Sequence, residues 1–537
     1  MLKLKKNQIV LISAAVAIVA LIVVACLTAG ENIAGTAWSL FPPVVAIALA
    51  LITKEVFSSL FIGILAGALL YSNLSIVGTV DTVVSAGIID AISGNAGIFM
   101  FLVELGVIVA LINKSGAAQA FGKWAEKNIK TKLGAIIATF ILGCLIFIDD
   151  YFNCLTVGTV MTPVTDSKKI SRAKLAYIID ATAAPICMIA PISSWAAAVS
   201  SNVTPEVAGG MTGLQLFVNA IPFNFYSLLT IVFVIAIAIM GFDYGKMSEF
   251  EIKAQNGDLG KTEKDDAAPV ENTKANMLDL VLPIAVLIVV SVLALLYVGG
   301  FFDKASEYYL DFVGAFGDTD STVGLPWGGL VALIITIVYY MSRKHMSFKA
   351  AMESLPEGFN AMVPAILILT FANALKNTTG LLGSDDFVNS IMEGAGALMA
   401  FLPAIIFLVA CFISFATGTS WGTFGILIPI VLSVFDAGDP LMFIGISACL
   451  AGAVCGDHCS PISDTTIMAS AGAKCNHVDH VSSQLPYAIT VAAISFVMFL
   501  ISGFVKSAWI CLPIGAALTV GTLIVIKKFF VDKKKDA

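Results

Sequence analysis

Cys455-Gly-Asp-His-Cys-Ser-Pro-Ile-Ser-Asp-Thr-Thr466 is a run of acids and hydroxyls set inside an otherwise apolar stretch. A shorter echo, Ala190-Pro-Ile-Ser-Ser-Trp195, lies half a chain earlier. Both carry a proline, which removes a backbone donor and clashes with the preceding turn. At membrane depth an unsatisfied polar group costs several kcal/mol. Two polar, proline-broken helices are a way to build a midplane site for ions or small solutes.

Working outward, the rest of the chain is apolar: 58% hydrophobic, 12% charged, mean hydropathy +0.94. Soluble domains carry about 25% charged residues, so the sequence predicts an integral membrane protein surrounded by lipid. Apolar runs of about 20 residues recur, the length of a membrane helix. The period-two alternation of a membrane barrel is absent. The expected fold is all-α and polytopic, with roughly 11 to 14 spans depending on how hairpins are counted. The ten cysteines lie mostly in apolar runs without a CxxC pair, which predicts buried thiols and no disulfide framework. No Rossmann, Walker A or HExxH motif is present, so no cofactor and no nucleic-acid partner is expected. There is no recognisable nucleophile–base pair for an enzyme, and no repeated polar rings for a channel.

Lys and Arg report the topology. With Lys3, Lys5 and Lys6 cytoplasmic, basic clusters recur on one side: Lys54, Lys114 to Lys132, Lys168 to Lys174, Lys246 to Lys274, Arg343 to Lys349, Lys474, and the tail from Lys527. Lys304, Lys376 and Lys506 fall on the other side, among acids such as Asp303, Glu307, Asp311, Asp318, Asp320, Asp385, Asp386 and Glu393. This is the positive-inside pattern, and it puts both termini in the cytoplasm. It holds only if Leu133–Asp166 enters and leaves from the cytoplasm and Met399–Phe435 enters and leaves from outside. Each is a re-entrant hairpin or a helix pair. The expected organisation is an N-terminal helix (1–35), a first repeat (36–242), a linker (243–276), a second repeat (277–505), and a C-terminal helix with a basic tail (506–537). The linker is rich in Lys, Glu, Asp, Asn and Gly and reads as a solvated, flexible tether.

The two halves match in order. Leu111-Ile-Asn-Lys-Ser-Gly116 pairs with Leu375-Lys-Asn-Thr-Thr-Gly380. Asp149-Asp-Tyr-Phe-Asn-Cys-Leu-Thr156, running on to Pro163, pairs with Phe415-Ala-Thr-Gly-Thr-Ser-Trp-Gly422, running on to Pro429. Ala190–Ser194 pairs with Ser460–Asp464. Lys114 ends its helix inside and Lys376 ends its partner outside, so the repeat reads as inverted, with the site between the halves.

Six carboxylates sit in or near apolar segments: Glu104, Asp149, Asp150, Asp180, Asp457 and Asp464. No Lys or Arg occurs between Leu175 and Gly245 or between Asn377 and Ala473. A buried carboxylate without a partner takes a proton or binds a cation. Competition between the two couples their fluxes. Asp149, Asn153 and Thr156 fall on one helical face and offer hard oxygen ligands. Asp150 points about 100° away; the bland reading of Asp149 and Asp150 is a solvated hairpin tip. In the second half Thr417, Thr419, Ser420 and Thr423 stand among glycines, which suit an unwound turn or close helix packing equally. Ser193, Ser194, Ser460, Ser463 and Thr465 flank the two breaks. The expected cation ligands are Asp149, Asn153, Asp457 and Asp464, with Asp180, Glu104 and His458 as proton-relay candidates. Cys475, His477, Asp479 and His480 match no closed zinc spacing and read as a cytoplasmic loop.

Gly456-Asp-His-Cys-Ser-Pro-Ile-Ser-Asp-Thr-Thr466, together with Ile148-Asp-Asp-Tyr-Phe-Asn153, resembles the NhaC family of bacterial sodium/proton antiporters. The resemblance implies two inverted repeats, each with a scaffold and a mobile part, an elevator-like movement, a homodimer and a bacterial cytoplasmic membrane. Na⁺ and H⁺ would be the transported ions. The same family includes antiporters that exchange malate and protons for sodium and lactate. The alternative is therefore coupled exchange of a small organic anion or amino acid, received at broken-helix N-termini. The lack of a nearby Lys or Arg clamp weighs against an anion.

Overall fold

The computed structural model describes residues 35–53, 55–203, 209–260, 275–317, 319–384, 387, 396–461 and 463–532. The expected N-terminal helix, Lys54, Asp318, Asp385, Asp386 and Glu393 lie outside these residues. Among them there are helices and turns but no strand. Among the described residues, seven helices are long and apolar enough to cross a membrane, or up to nine if each of two bent pairs is one span. Four shorter apolar helices of 10–17 residues accompany them.

The organisation follows from where the helices stop. Lys132–Leu145 is capped by Thr131, whose hydroxyl accepts from the Gly134 N–H at 2.9 Å. The chain unwinds over 146–149 and resumes as Asp150–Ser167; we call this pair hairpin I. Hairpin II is Leu402–Thr417 and Ser420–Val434. Its turn rests on Gly418 at φ 73°, a left-handed conformation that glycine adopts without steric cost.

Each hairpin is followed by a broken helix. The first runs Arg172–Thr182, Ala184–Cys187 and then Ser194–Ser201. Pro185 opens the short middle piece, and Pro191 lies in the second interruption. The second broken helix is Pro440–Cys459 and Asp464–Gly472, parted at Pro461. The prolines thus act as the sequence predicts.

Backbone approach is close where small residues face each other. A Cβ added at Gly456 would lie 2.1 Å from the Cys411 carbonyl oxygen, and one at Gly472 would lie 2.3 Å from that of Cys154. These glycines let hairpin II and the second broken helix touch, and let the second broken helix touch hairpin I. A separate group of long helices packs together: Asp90–Ser115, Leu278–Val298, Ser321–Ser342 and Phe348–Gly380. The last bends by 42° beside Pro364.

The linker departs from the expected tether. Lys246–Gln255 is a helix, and it is docked. Glu251 is buried, pairs with Lys132 at 2.5 Å and accepts from the Ser171 N–H at 2.8 Å. Asp243 accepts from Lys174 at 2.7 Å and from the Tyr487 hydroxyl at 2.7 Å. Two of the segment's acids, Glu251 and Asp243, are spent on partners in hairpin I and the first broken helix, while Lys246, Glu249, Lys253 and Asp258 remain exposed as in a solvated segment. Residues 261–274 lie outside the described residues.

Burial pushes the Glu251 carboxyl up, but Lys174 and Lys132 pull it down further, and the net result is below its ordinary 4.5. A depressed carboxylate stabilises the folded state above its ordinary value and loses that contribution as pH falls through the folded value. Acidification below 4.5 is therefore expected to release the 246–255 helix. Glu251→Gln is expected to release it at neutral pH. Faster hydrogen exchange of 246–260 is the readout, and unchanged exchange in the variant would contradict the docking.

Candidate functional site

The two hairpin turns and the two helix breaks meet through a repeated backbone connection. The Ser194 N–H donates to the Ile148 carbonyl at 2.8 Å, and the Asp464 N–H donates to the Gly418 carbonyl at 3.2 Å. Each second bond joins residues 270 positions after those of the first. Ser193 and Ser463 cap the helices that follow, accepting from the Ala196 and Thr466 N–H groups at 3.1 Å each. Thr419 caps the second helix of hairpin II through the Gly422 N–H.

Asp149 and Asp150 are 1% and 0% exposed, which rules out the solvated hairpin tip. Asp150 Oδ2 accepts from the Trp195 indole at 3.1 Å. Trp195 packs on Trp421 and Phe424 of hairpin II, at 5.8 and 5.1 Å between ring centroids. Asp149 and Asp464 lie near enough to Asp150 to act on it electrostatically. The Tyr151 hydroxyl donates to Asp464 Oδ2 at 2.6 Å. Asp464 Oδ1 accepts from the Thr465 N–H at 2.9 Å, and the Thr465 hydroxyl donates to Asp457 Oδ2. A chain of contacts therefore runs from Asp150 past Tyr151 and Asp464 to Asp457, across 313 residues of sequence at its widest step.

Asn153 is a clamp. Its amide nitrogen donates to the carbonyls of Gly143, Ile146 and Thr182 at 2.7, 2.9 and 3.0 Å. These are carbonyls freed where hairpin I and the first broken helix unwind. Three acceptors around one nitrogen fix the amide's orientation, and Asn153 Oδ1 is left buried without a partner. Thr156 Oγ1, Ser194 Oγ and Asp457 Oδ1 are likewise buried without partners. Buried polar oxygens of this kind are costly unless a ligand satisfies them. Ser460 donates to the Phe415 carbonyl at 2.8 Å, and Ser420 to the Ala453 carbonyl at 3.2 Å.

Asp180 lies in an adjoining buried network. Its Oδ2 accepts from Gln484 at 2.7 Å and from Thr466 at 3.1 Å, with His480 Nε2 at 3.4 Å. His458 Nε2 stands 3.9 Å from Oδ1, and its Nδ1 contacts the Tyr226 hydroxyl at 3.1 Å. His480 was expected in a cytoplasmic loop; it is instead in the first turn of helix His477–Val505, which Asn476 caps, and it is fully buried. No group of three or more His, Cys, Asp or Glu suited to a metal occurs among the described residues. Glu104 stands apart. It is buried in Asp90–Ser115 against Gly329, and both carboxyl oxygens lack partners.

Tyr151, Trp195, Gln484 and His480 were not singled out as site residues by sequence reasoning. Tyr151 and Trp195 each follow a selected residue directly, so adjacency was a usable signal. Gln484 had none: a glutamine two turns along an apolar helix looks like any interfacial polar residue.

Residues 196–504 match the sequence profile of the Na⁺/H⁺ antiporter family. An uncharacterised protein of Haemophilus influenzae is 38% identical over 94% of this chain and 97% of its own length. The malate-2H⁺/Na⁺-lactate antiporter of Bacillus subtilis is 32% identical over 29% of this chain and 34% of its own. The YdaH transporter of Alcanivorax borkumensis superposes with a TM-score of 0.50 over 80% of this chain and 89% of its own, at 14% identity, a likeness of fold alone. The chain belongs to the Na⁺/H⁺ antiporter family.

Proposed function

We propose that the protein is a secondary active Na⁺/H⁺ antiporter of the bacterial cytoplasmic membrane, with cytoplasmic termini and two inverted repeats. The observation that carries this reading is the run of buried carboxylates at the meeting of hairpins and breaks. Among the described residues, Asp150, Asp457 and Asp464 have no Lys or Arg partner. Charges buried this way need a cation or a proton. Na⁺ would be held by oxygens of Asp149, Asn153, Asp457 and Asp464, and the same carboxylates would accept the outward- or inward-bound proton. Mutual exclusion of the two makes the exchange obligatory. The grouping of hairpins with broken helices, beside a separate set of long helices, supports an elevator-like movement of the first against the second.

Proteoliposomes with a trapped pH-sensitive dye test this. Na⁺ added alone to vesicles holding a pH gradient is expected to collapse it. No collapse with Na⁺ alone would remove the reading.

Tyr151→Phe removes one donor to a charged carboxylate, an interaction worth about 1.5–3 kcal/mol. The apparent Na⁺ affinity is expected to weaken by about tenfold or more, read from the Na⁺ dependence of exchange. An unchanged affinity would mean that Asp464 is held in place by its backbone contacts alone.

A second reading, coupled exchange of an organic acid or amino acid, is favoured by one feature. Lys376, which falls with Lys304 and Lys506 on the side opposite the main basic clusters, borders a cavity beside helix Ser194–Ser201, so a basic group for a carboxylate is present after all. Counterflow of labelled solute separates the two readings.

A further inference from the structure

Residues 270 positions apart play matching parts around the carboxylates. Asp150 and Ser420 open the second helices of hairpins I and II, and Ser194 and Asp464 open the helices that follow the two breaks. The caps Ser193 and Ser463 keep the same offset, as do the two backbone bonds. Ser194 and Asp464 are thus each tied by the N–H to their own hairpin turn.

A side-chain tie to the opposite hairpin exists in one half only. Tyr151, the second residue of its helix, donates to Asp464 at 2.6 Å. The residues at the matching positions are Trp421 and Ser194. An indole N–H and a hydroxyl are a donor and an acceptor that suit each other. Both side chains are buried, and Trp421 Nε1 and Ser194 Oγ each lack a partner. The Trp421 ring packs on that of Trp195, the neighbour of Ser194, at 5.8 Å between centroids. Leaving both groups unpaired costs free energy that a bond between them would recover.

The two seams also pack differently. Where hairpin I meets Asp464–Gly472, a Cβ added at Gly158 would lie 2.3 Å from the Gly472 carbonyl carbon, so the backbones touch. The matching positions between hairpin II and Ser194–Ser201 are Ile428 and Asn202, whose side chains oppose so close an approach. A cavity of about 180 Å³ is lined there by Asn202 on one side and by Gly425 and Pro429 of hairpin II on the other. The first seam is closed and the second is not.

We infer that Trp421 and Ser194 are the latch of the second seam: the indole N–H donates to the hydroxyl when hairpin II closes on Ser194–Ser201, as Tyr151 donates to Asp464 in the closed first seam. The inference rests on the Na⁺/H⁺ exchange proposed above, in which the site opens to one face at a time. A bond made in one state and absent from the other shifts the balance between them. Apparent affinity at a face scales with the fraction of the protein open to it, so the ratio of Na⁺ affinities measured from the two faces reports that balance. A uniform loss of affinity, as expected for Tyr151→Phe, cancels from the ratio.

The test compares right-side-out and everted membrane vesicles that carry the full-length protein. Trp421→Phe keeps a ring against Trp195 and removes the N–H. It is expected to move the ratio about threefold or more, and Tyr151→Phe to move it in the opposite direction. Ser194→Ala is expected to act as Trp421→Phe does, and the double variant to go no further than either single one. Ser194→Thr, which keeps the hydroxyl, is expected to hold the wild-type ratio. The unfolding temperature of each purified variant checks the fold; a merely structural role for Trp421 would lower that temperature and leave the ratio alone. An unchanged ratio in Trp421→Phe, a shift in the same direction as Tyr151→Phe, or additive effects of Trp421→Phe and Ser194→Ala would overturn the latch and leave the Na⁺/H⁺ reading standing. No Na⁺-driven proton movement in the wild type would remove that reading and the latch with it.

Discussion

Asp464→Asn is expected to lower Na⁺-driven proton movement by about a hundredfold while the protein still folds. Asp464 opens the helix Asp464–Gly472, and three contacts hold it: its N–H on the Gly418 carbonyl, Oδ1 on the Thr465 N–H, and Oδ2 on the Tyr151 hydroxyl. Asparagine has the same shape and keeps one side-chain acceptor. The tyrosine hydroxyl can rotate to accept from the new amide. The fold therefore loses little beyond the acid's interaction with the helix N-terminus, about 0.3–1 kcal/mol, and gains relief from the neighbouring carboxylates. Transport loses more, because an amide neither takes the exchanged proton nor supplies the charge that balances Na⁺. The measurement is dye-reported exchange set beside the unfolding temperature of the same preparation. Wild-type kinetics in both Asp464→Asn and Asp149→Asn would sink the carboxylate mechanism.

The second large effect is expected on stability. Asn153→Leu leaves the carbonyls of Gly143, Ile146 and Thr182 without their shared donor. A buried acceptor stripped of its partner costs about 1–3 kcal/mol, so a loss of about 1–3 kcal/mol is expected from one carbonyl alone, and a larger one to the extent that the terms add. Asn153→Asp tests the sign of the contact. It keeps the size but turns an oxygen toward three oxygens, and it is expected to destabilise comparably. Unfolding in detergent without Na⁺ is the readout. A side chain that served only as a Na⁺ ligand would leave Na⁺-free stability unchanged. A strong Na⁺-independent loss shows that Asn153 first holds the unwound segments in place, so that its remaining oxygen can serve a ligand.

The sequence located the hairpins and breaks well but paired them imperfectly. The motif match sets Asp149 against Phe415, whereas the backbone bonds pair Ile148 with Gly418. The difference is one helical turn. Asp150 precedes Pro163 by 13 residues, while Ser420, which opens the equivalent helix, precedes Pro429 by nine. Matching on proline hides the extra turn; matching on the unwound carbonyl reveals it. The linker failed for another reason. Composition counts its charges but not their partners, and Glu251, Asp243, Lys132 and Lys174 neutralise one another only after the chain has folded.

By itself the sequence determined the membrane class, the hairpins, the helix breaks and the acids available to the site. Hydropathy and proline act within one helix or one loop, so they can be read locally. Only the tertiary structure decided which polar atoms meet: Tyr151 with Asp464, Gln484 with Asp180, Asn153 with Thr182, Lys376 with Asn202. Those contacts join helices distant in sequence. They are set by how close backbones can approach at residues such as Gly456 and Gly472, a packing condition that no single segment carries.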